Sequence, residues 1–300
     1  IVINGVMTGM QTDLREKTLV GSPDLRVLTF VADLKLTDWQ PTLAKVRRNP
    51  RVVAAAPFVL TQGLATAGHD YSEGVFVEGI PPAGPGVVDV TSIRKHASTG
   101  DFRFATEDGQ HRGAVLGKRL AERLNVFPGS KLTMISPAGA KFNASMGSVV
   151  PRLFQFEVTG VFETGMYEYD NSYVYVDLDR AKEFAGLGDA VTGIEARTTN
   201  RWEAGDVARE LSDTLQYPYR VLDWQEVNSQ LFQALKLEKL AMRIILLLIV
   251  LVAAFNIVST LPMVVQAKTP AHGNPQGRGQ PGGWSRRSLS VSGAGLGVGV

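Results

Sequence analysis

The chain has 300 residues, of which 44% are hydrophobic and 20% charged, with a formal net charge of +2 and no cysteine. Acidic and basic residues are mixed from Asp13 to Arg243, so the charge pattern argues against nucleic acid as a partner. Without cysteine there are no disulfides, and the four histidines have no metal-ligand spacing. No nucleophile motif or carboxylate pair points to catalysis, so we expect no enzyme and no catalytic, cofactor or metal residues.

The first ten residues are mostly apolar but too few to span a membrane, and no basic segment of a signal peptide precedes them. We expect residues 1–10 to be the end of a first transmembrane helix.

The next region alternates between strand and helix patterns. Residues 25–31 alternate like a strand, and residues 37–48 have helical spacing after Thr37, which we predict to be the N-cap. Residues 51–60 and 74–80 are rich in strand formers. The Pro- and Gly-rich run at 81–86 then indicates a subdomain boundary.

A second unit follows that boundary. A strand and a helix are predicted from Gly113 to Leu124, where Asn125 and Pro128 end the helix. Residues 131–135, 154–162 and 172–176 are predicted strands.

Residues 194–197, 201–215 and 219–222 then repeat the earlier strand, helix and strand. We therefore predict an α+β domain over 22–236, with a first subdomain from 22–80 and 189–223 and an inserted subdomain at 86–188.

Residues 136–154 lie between two predicted strands and combine Pro and Gly with several apolar residues. A loop of this length is usually functional, which predicts a protein-binding hairpin. The alternative is that these side chains pack back onto the domain. The binding candidates are Phe142, Met146, Val149, Val150, Pro151 and Leu153.

Residues 224–242 have helical periodicity and lead without Gly or Pro into the uncharged run 244–267. This run has 24 residues, and thirteen of those up to Leu261 are Ile, Leu, Val or Phe. That length and composition predict a transmembrane helix at 240–266 and argue against a buried helix of a soluble core. The residues taken to represent its membrane-embedded surface are Ile244, Leu248, Phe255 and Asn256.

After this segment the charges are all basic, Lys268, Arg278, Arg286 and Arg287, with no acidic residue through Val300. By the positive-inside rule the tail is cytoplasmic, and the domain lies on the other side of the membrane.

One long segment runs from Gly160 to Ser172 (GVFETGMYEYDNS), and shorter ones lie at 4–10, 21–23, 114–118 and 255–261. These segments resemble one known family, the lipoprotein-releasing permeases LolC and LolE. The resemblance covers residues 1 to about 269.

The resemblance implies a fragment of a permease with four membrane helices and a periplasmic domain of the MacB core type, located in the bacterial inner membrane. It also implies that ATP is bound and hydrolysed by a separate cytoplasmic ABC ATPase subunit. A second permease subunit or second copy, a lipoprotein cargo, membrane lipids and a periplasmic lipoprotein carrier are the other implied partners. In that family the loop matching residues 136–154 is the hook, which recruits the carrier in LolC-like members.

The chain departs from the family after Thr269, where a charged coupling helix is expected. Codons for residues 272–280 read one base later can encode Thr-Ala-Ile-Leu-Lys-Ala-Val-Gly, so we hypothesise that 270–300 is a frameshifted tail. If so, the positive-inside argument weakens and topology rests on the resemblance. Codons incompatible with that shifted reading would contradict this hypothesis.

Other functions remain open from the residues alone. One is a MacB-like efflux or mechanotransmission permease that uses no carrier. The others are a membrane-anchored periplasmic enzyme, which would need a polar catalytic cluster, and a passive anchored binding or sensor protein with one helix.

Overall fold

A computed structural model describes most of the chain between residues 21 and 255, and of 139–143 and 148–150 only the backbone. The chain divides into two compact units, residues 1–228 and 229–300. The described ranges are 21–30, 35–68, 71–84, 88–106, 108–110, 112–143, 148–229, 233, 237–238 and 240–255.

Within its described residues, the first unit contains ten strands and six α-helices. The strands are β1 (Leu25–Thr29), β2 (Val52–Thr66), β3 (Glu73–Ile80), β4 (Ala97–Gly100), β5 (Gly113–Gly117), β6 (Lys131–Asn143), β7 (Ser148–Phe162), β8 (Tyr173–Asp177), β9 (Gly193–Thr198) and β10 (Tyr219–Asp223). The helices are α1 (Trp39–Arg47), α2 (Lys118–Leu124), α3 (Tyr167–Ser172), α4 (Leu178–Ala185), α5 (Ala204–Leu215) and α6 (Trp224–Val227), with 3₁₀ turns at Ile93–His96 and Arg201–Glu203.

The first sheet is built from two interleaved strand–helix–strand repeats. Its order is β10-β1-β9-β2, with every neighbouring pair antiparallel. Helices α1 and α5 pack against it, and α5 buries Val207, Leu211 and Leu215, which recur at helical spacing. Each repeat thus places its two strands beside strands of the other repeat.

The second sheet shares β2 with the first. The first half of β2 pairs with β9, and its second half pairs with β3 and β6. From there β3, β8, β5, β7 and β6 pair in turn and return to β2, which closes a ring of six strands, and β4 adds to β7 outside it. Closing the ring leaves these six strands without a free edge.

The core of the second sheet is aromatic. Residues of β5 and β8 are buried along their full length. The cluster comprises Ile93, Phe104, Val115, Phe162, Tyr173 and Tyr175. The ring centroid of Tyr175 lies 5.3 Å from that of Phe162, in an edge-on arrangement, and 5.6 Å from that of Phe102, in a tilted one. Aromatic quadrupoles favour such arrangements.

Most predicted elements are observed within a few residues, and three differences concern where helices begin and end. The N-cap of α1 is Asp38 and not Thr37. The predicted helix 201–215 begins with a 3₁₀ turn, in which the Asn200 side chain accepts a hydrogen bond from Trp202 N. The predicted helix 224–242 is interrupted by a turn at Asn228, whose side-chain amide donates to Trp224 O at 2.8 Å and so competes for that carbonyl.

In the second unit, residues 240–255 are helical, and Ile244, Leu248 and Phe255 are each more than half exposed. Among the described residues, none of the helices combines the length and the hydropathy needed to cross a membrane. Asn256 and the rest of the predicted membrane helix to 266 lie outside the described residues, as do 1–10 and 270–300.

Candidate functional site

The segment predicted to bind a protein is the far end of the β6–β7 hairpin. The prediction of a long loop at 136–154 is wrong, because β6 continues to Asn143 and β7 begins at Ser148. The strands stay paired out to Asn143 and Ser148. We call residues 136–154 the hook.

A large irregularity divides the hook. Ser136 pairs with Arg152, and the next pair is Lys141 with Val150, so residues 137–140 face the single residue Pro151. Extra residues on one strand bend a hairpin and strengthen its twist. Proline is tolerated at this point because an irregular ladder does not need its missing N–H.

The structure places the six candidate binding residues unevenly. Pro151 and Leu153 are exposed, and Leu153 retains 64% of its accessible surface. For Phe142, Val149 and Val150 the structure describes only the backbone, in the outer paired strands. Met146 lies outside the described residues. Exposed apolar side chains on a paired hairpin can bind another protein by apolar contact.

Inward-facing side chains fix the base of the hook on α4. Phe154 packs on Phe184 with 5.1 Å between ring centroids. Arg152 lies 4.9 Å from the ring of Phe154 and pairs with Glu183 at 3.5 Å. Sequence reasoning missed these contacts because it did not predict α4.

The signal for α4 was nevertheless present. Asp177 is its N-cap and accepts a hydrogen bond from Asp179 N at 2.9 Å, and Gly186 follows its end with φ of 65°. Asp is a common residue immediately before the start of a helix, and Gly is common immediately after its end.

The segment from Gly160 to Ser172, which carries the longest family resemblance, has a structural role in the described residues. Asp170 is buried, and its carboxylate accepts from Thr164 N and Oγ1, both at 2.8 Å, and from Gly165 N at 3.0 Å. A Cβ at Gly117 would meet Asp170 O at 2.4 Å, so α3 packs directly on the end of β5. The segment therefore locks a tight turn against the second sheet.

A buried ionic cluster lies where the two sheets meet. Arg26 on β1 contacts Glu195 on β9 at 2.8 Å, and Glu78 on β3 is only 1% exposed. Glu78 Oε2 and the Tyr175 hydroxyl make no hydrogen bond of good geometry in the described part of the chain. A cavity of about 30 Å³ lies next to Glu195, which is enough to hold a water molecule.

Burial governs the charges of this cluster. Burial and the Glu195 charge raise the pKa of Glu78 to about 8, while Arg26 opposes the shift. Burial also raises the pKa of Glu195, against the attraction of Arg26. Burial works against the charge of Arg26, but the Glu195 and Glu78 carboxylates raise its pKa above the ordinary value. A neutral Glu78 beside one Arg26–Glu195 pair leaves no net buried charge.

Among the described residues, no group of three or more His, Asp or Glu side chains is placed to hold a metal ion.

Comparison with known proteins identifies related chains. Residues 1–214 match the family described as the MacB-like periplasmic core domain. The lipoprotein-releasing system transmembrane protein LolC of Neisseria meningitidis serogroup B is 35% identical over 274 residues, which covers 89% of this chain and 62% of LolC. LolE of Haemophilus influenzae is 26% identical over 282 residues, covering 89% of this chain and 63% of LolE.

Among solved structures, the extracellular domain of the noncanonic ABC-type transporter YknZ from Gram-positive bacteria is 19% identical, with a TM-score of 0.41. That match covers 66% of this chain and 99% of the YknZ domain. The chain spans less than two thirds of the length of the curated relatives that it matches.

Proposed function

The chain belongs to the family with a MacB-like periplasmic core domain, and we propose that it is part of an ABC transporter permease that releases lipoproteins to a periplasmic carrier. The observation that carries this proposal is the 35% identity to a lipoprotein-releasing LolC across 89% of the chain. The match to LolE, at 26% identity, supports the same transport system. The higher identity to LolC favours a LolC-like role.

In this proposal the hook docks the carrier. Its outer strands are paired, and Leu153 and Pro151 are exposed beside them. The sequence has hydrophobic residues at positions 142, 146, 149 and 150, and Met and Phe side chains suit an adaptable apolar partner. The carrier would receive the lipoprotein at this surface.

The membrane attachment is also part of the proposal. The helical residues 240–255 expose Ile244, Leu248 and Phe255, and the apolar sequence continues through Asn256 to residue 266. Exposing such an apolar surface to water is unfavourable, whereas placing it in lipid lowers the free energy. We place this segment in the inner membrane, with the first unit on the periplasmic side.

The energy source in this proposal is a separate subunit. The chain has no nucleotide-binding motif, so ATP would bind to a cytoplasmic ABC ATPase that acts on the membrane segments. The other proposed partners are a second permease subunit or a second copy of this chain, the lipoprotein cargo and membrane lipids.

The test is calorimetric titration of the chain, purified in detergent, with the periplasmic lipoprotein carrier. A variant carrying Phe142→Ser and Met146→Ser removes two large apolar side chains from the hook. We expect the variant to bind at least about tenfold more weakly, since each buried side chain of this size contributes roughly 1.5–3 kcal/mol.

A matched control carries Phe127→Ser and Val53→Ser, which are 66% and 51% exposed and lie outside the hook. We expect it to bind like the original chain. If neither the original chain nor the control binds the carrier, a MacB-like efflux or mechanotransmission permease without a carrier becomes the better interpretation.

A further inference from the structure

We propose that the C-terminal end of α4 is a clamp that sets the direction of the hook, and that Ser136 is its main positioning residue. The consequence for the carrier rests on the proposed function, whereas the clamp itself is a property of the fold. The clamp comprises Ser136, Arg152 and Phe154 of the hairpin with Glu183 and Phe184 of α4.

The carbonyl groups at the end of α4 are bonded in part by the hairpin. The last carbonyls of a helix have no partner within the helix and must bond elsewhere. Lys182 O accepts from Leu187 N at 3.0 Å and Glu183 O from Gly186 N at 3.3 Å, which closes the helix end. The hairpin adds a second donor to Glu183 O, because Arg152 Nη1 lies at 3.3 Å, and Ser136 Oγ donates to Phe184 O at 2.5 Å.

Ser136 lies where the regular pairing of the hairpin ends. Ser136 and Arg152 form the last regular pair before the irregularity at 137–140. Ser136 Oγ also accepts from Ala138 N at 3.1 Å, so the same hydroxyl bonds the helix and begins the irregular segment. The direction in which the outer strands leave the domain is thus set at Ser136.

The clamp is closely packed and has no room to shift. Ser136 is fully buried, and Phe154 packs on Phe184. A Cβ at Gly63 of β2 would lie 2.7 Å from the Phe184 ring and 3.0 Å from Ile135 O. Phe184 is therefore wedged between β2 and the hairpin, and a helix so placed transmits its position to the hook.

The first measurement is amide hydrogen exchange of the full chain in detergent, comparing Ser136→Ala with the original chain. We expect the amides of residues 141–143 and 148–150 to exchange on the order of tenfold faster, as expected for loss of one buried hydrogen bond. Exchange within β5 and β8 should stay unchanged, which separates a local clamp from a general loss of stability.

The matched control is Ser98→Ala on β4. The Ser98 hydroxyl donates to Val161 O of β7 at 3.1 Å. Should Ser136→Ala fail to fold, Arg152→Gln tests the second arm of the clamp, because Arg152 is partly exposed. Its control is Arg209→Gln, an exposed arginine of α5. Equal exchange of the hook amides in the clamp variants and their controls would overturn the proposal.

Titration with the carrier separates this inference from the proposed function. We expect the clamp variants to bind about three- to tenfold more weakly while the hook keeps all its binding residues. Faster exchange in the hook without carrier binding by the original chain would support the clamp and contradict the carrier role. Carrier binding that is unchanged despite faster exchange would show that hook direction does not matter for docking, and would overturn that part.

Discussion

The buried carboxyl of Glu78 makes the stability of the fold depend on pH. The folded protein holds the Glu78 proton more tightly than an unfolded chain does, because burial and Glu195 raise its pKa to about 8. The stabilisation is present below the ordinary carboxyl pKa and is lost progressively as the pH rises towards 8. We therefore expect the thermal midpoint of the first unit's unfolding to fall between about pH 5 and pH 8.

The variant Glu78→Gln should weaken this dependence, because a side-chain amide has no proton to release. Differential scanning calorimetry across that range checks the slope. Glu157→Gln, on the more exposed strand β7, is the control, and it should keep the original slope. A slope in Glu78→Gln as steep as in the original chain would show that Glu78 is not the titrating group.

At the same scale, sequence reasoning found no sign of this cluster. Arg26, Glu78 and Glu195 each stand in a strand pattern where a charged residue is read as solvent-facing. They become buried because their strands lie around the shared strand β2: β9 and β3 both pair with β2, and β1 pairs with β9. Pairings between strands so distant in the chain cannot be derived from local periodicity. The aromatic core around Tyr175 was missed for the same reason.

Among the elements, α4 is packed so tightly on β3 that one methyl group should disturb it. A Cβ at Gly79 would lie 2.1 Å from the Cβ of Ala181, which is attached to the helix backbone and cannot rotate away. Gly79→Ala must therefore push α4 off the sheet. We expect a loss of roughly 1–3 kcal/mol in the free energy of unfolding, measured by chemical denaturation.

Gly74→Ala on the same strand is the comparison, because a Cβ there meets nothing within 4 Å. It should leave the free energy of unfolding unchanged or slightly raised, since alanine restricts the unfolded chain. If both variants were equally stable, the close contact of α4 with β3 would be contradicted.

The elements also mark how far the sequence can be read. Strands β1, β9 and β10 and helix α5 follow from alternation and helical spacing. Asn125 ends α2 as predicted, and it does so in the left-handed conformation that is common after a helix. The outer parts of β6 and β7 were read as loop because Pro137, Gly139 and Pro151 usually break strands. The irregular pairing at 137–140 accommodates these residues, so the strands continue beyond them.

For the whole molecule, the two ends of the described part of the first unit, near residues 22–24 and 224, lie together. Trp224 N donates to Asp24 O at 3.0 Å, and Arg201 Nη2 donates to Ser22 O at 2.9 Å. The carboxylate of Asp24 also accepts from Thr198 N at 2.8 Å. The chain therefore enters and leaves this unit at one edge, an arrangement that suits a domain held between two membrane segments.

The proposed topology predicts opposite accessibility for two introduced cysteines. The chain has no cysteine of its own, so each substitution gives a single reporter. Ala97→Cys lies on the exposed strand β4 of the first unit, and Thr269→Cys follows the predicted membrane helix. In bacteria with a permeabilised outer membrane, we expect a membrane-impermeant maleimide to label Ala97→Cys at once and Thr269→Cys only after lysis.

The physical reason is that a charged maleimide does not cross the hydrocarbon core, so labelling reports the side of the membrane on which each residue lies. The unsubstituted chain gives the background signal. The reverse labelling pattern would invert the proposed orientation. Labelling of both positions before lysis would instead contradict the membrane span between them, and the hook could then not be assigned to the periplasmic side by this segment.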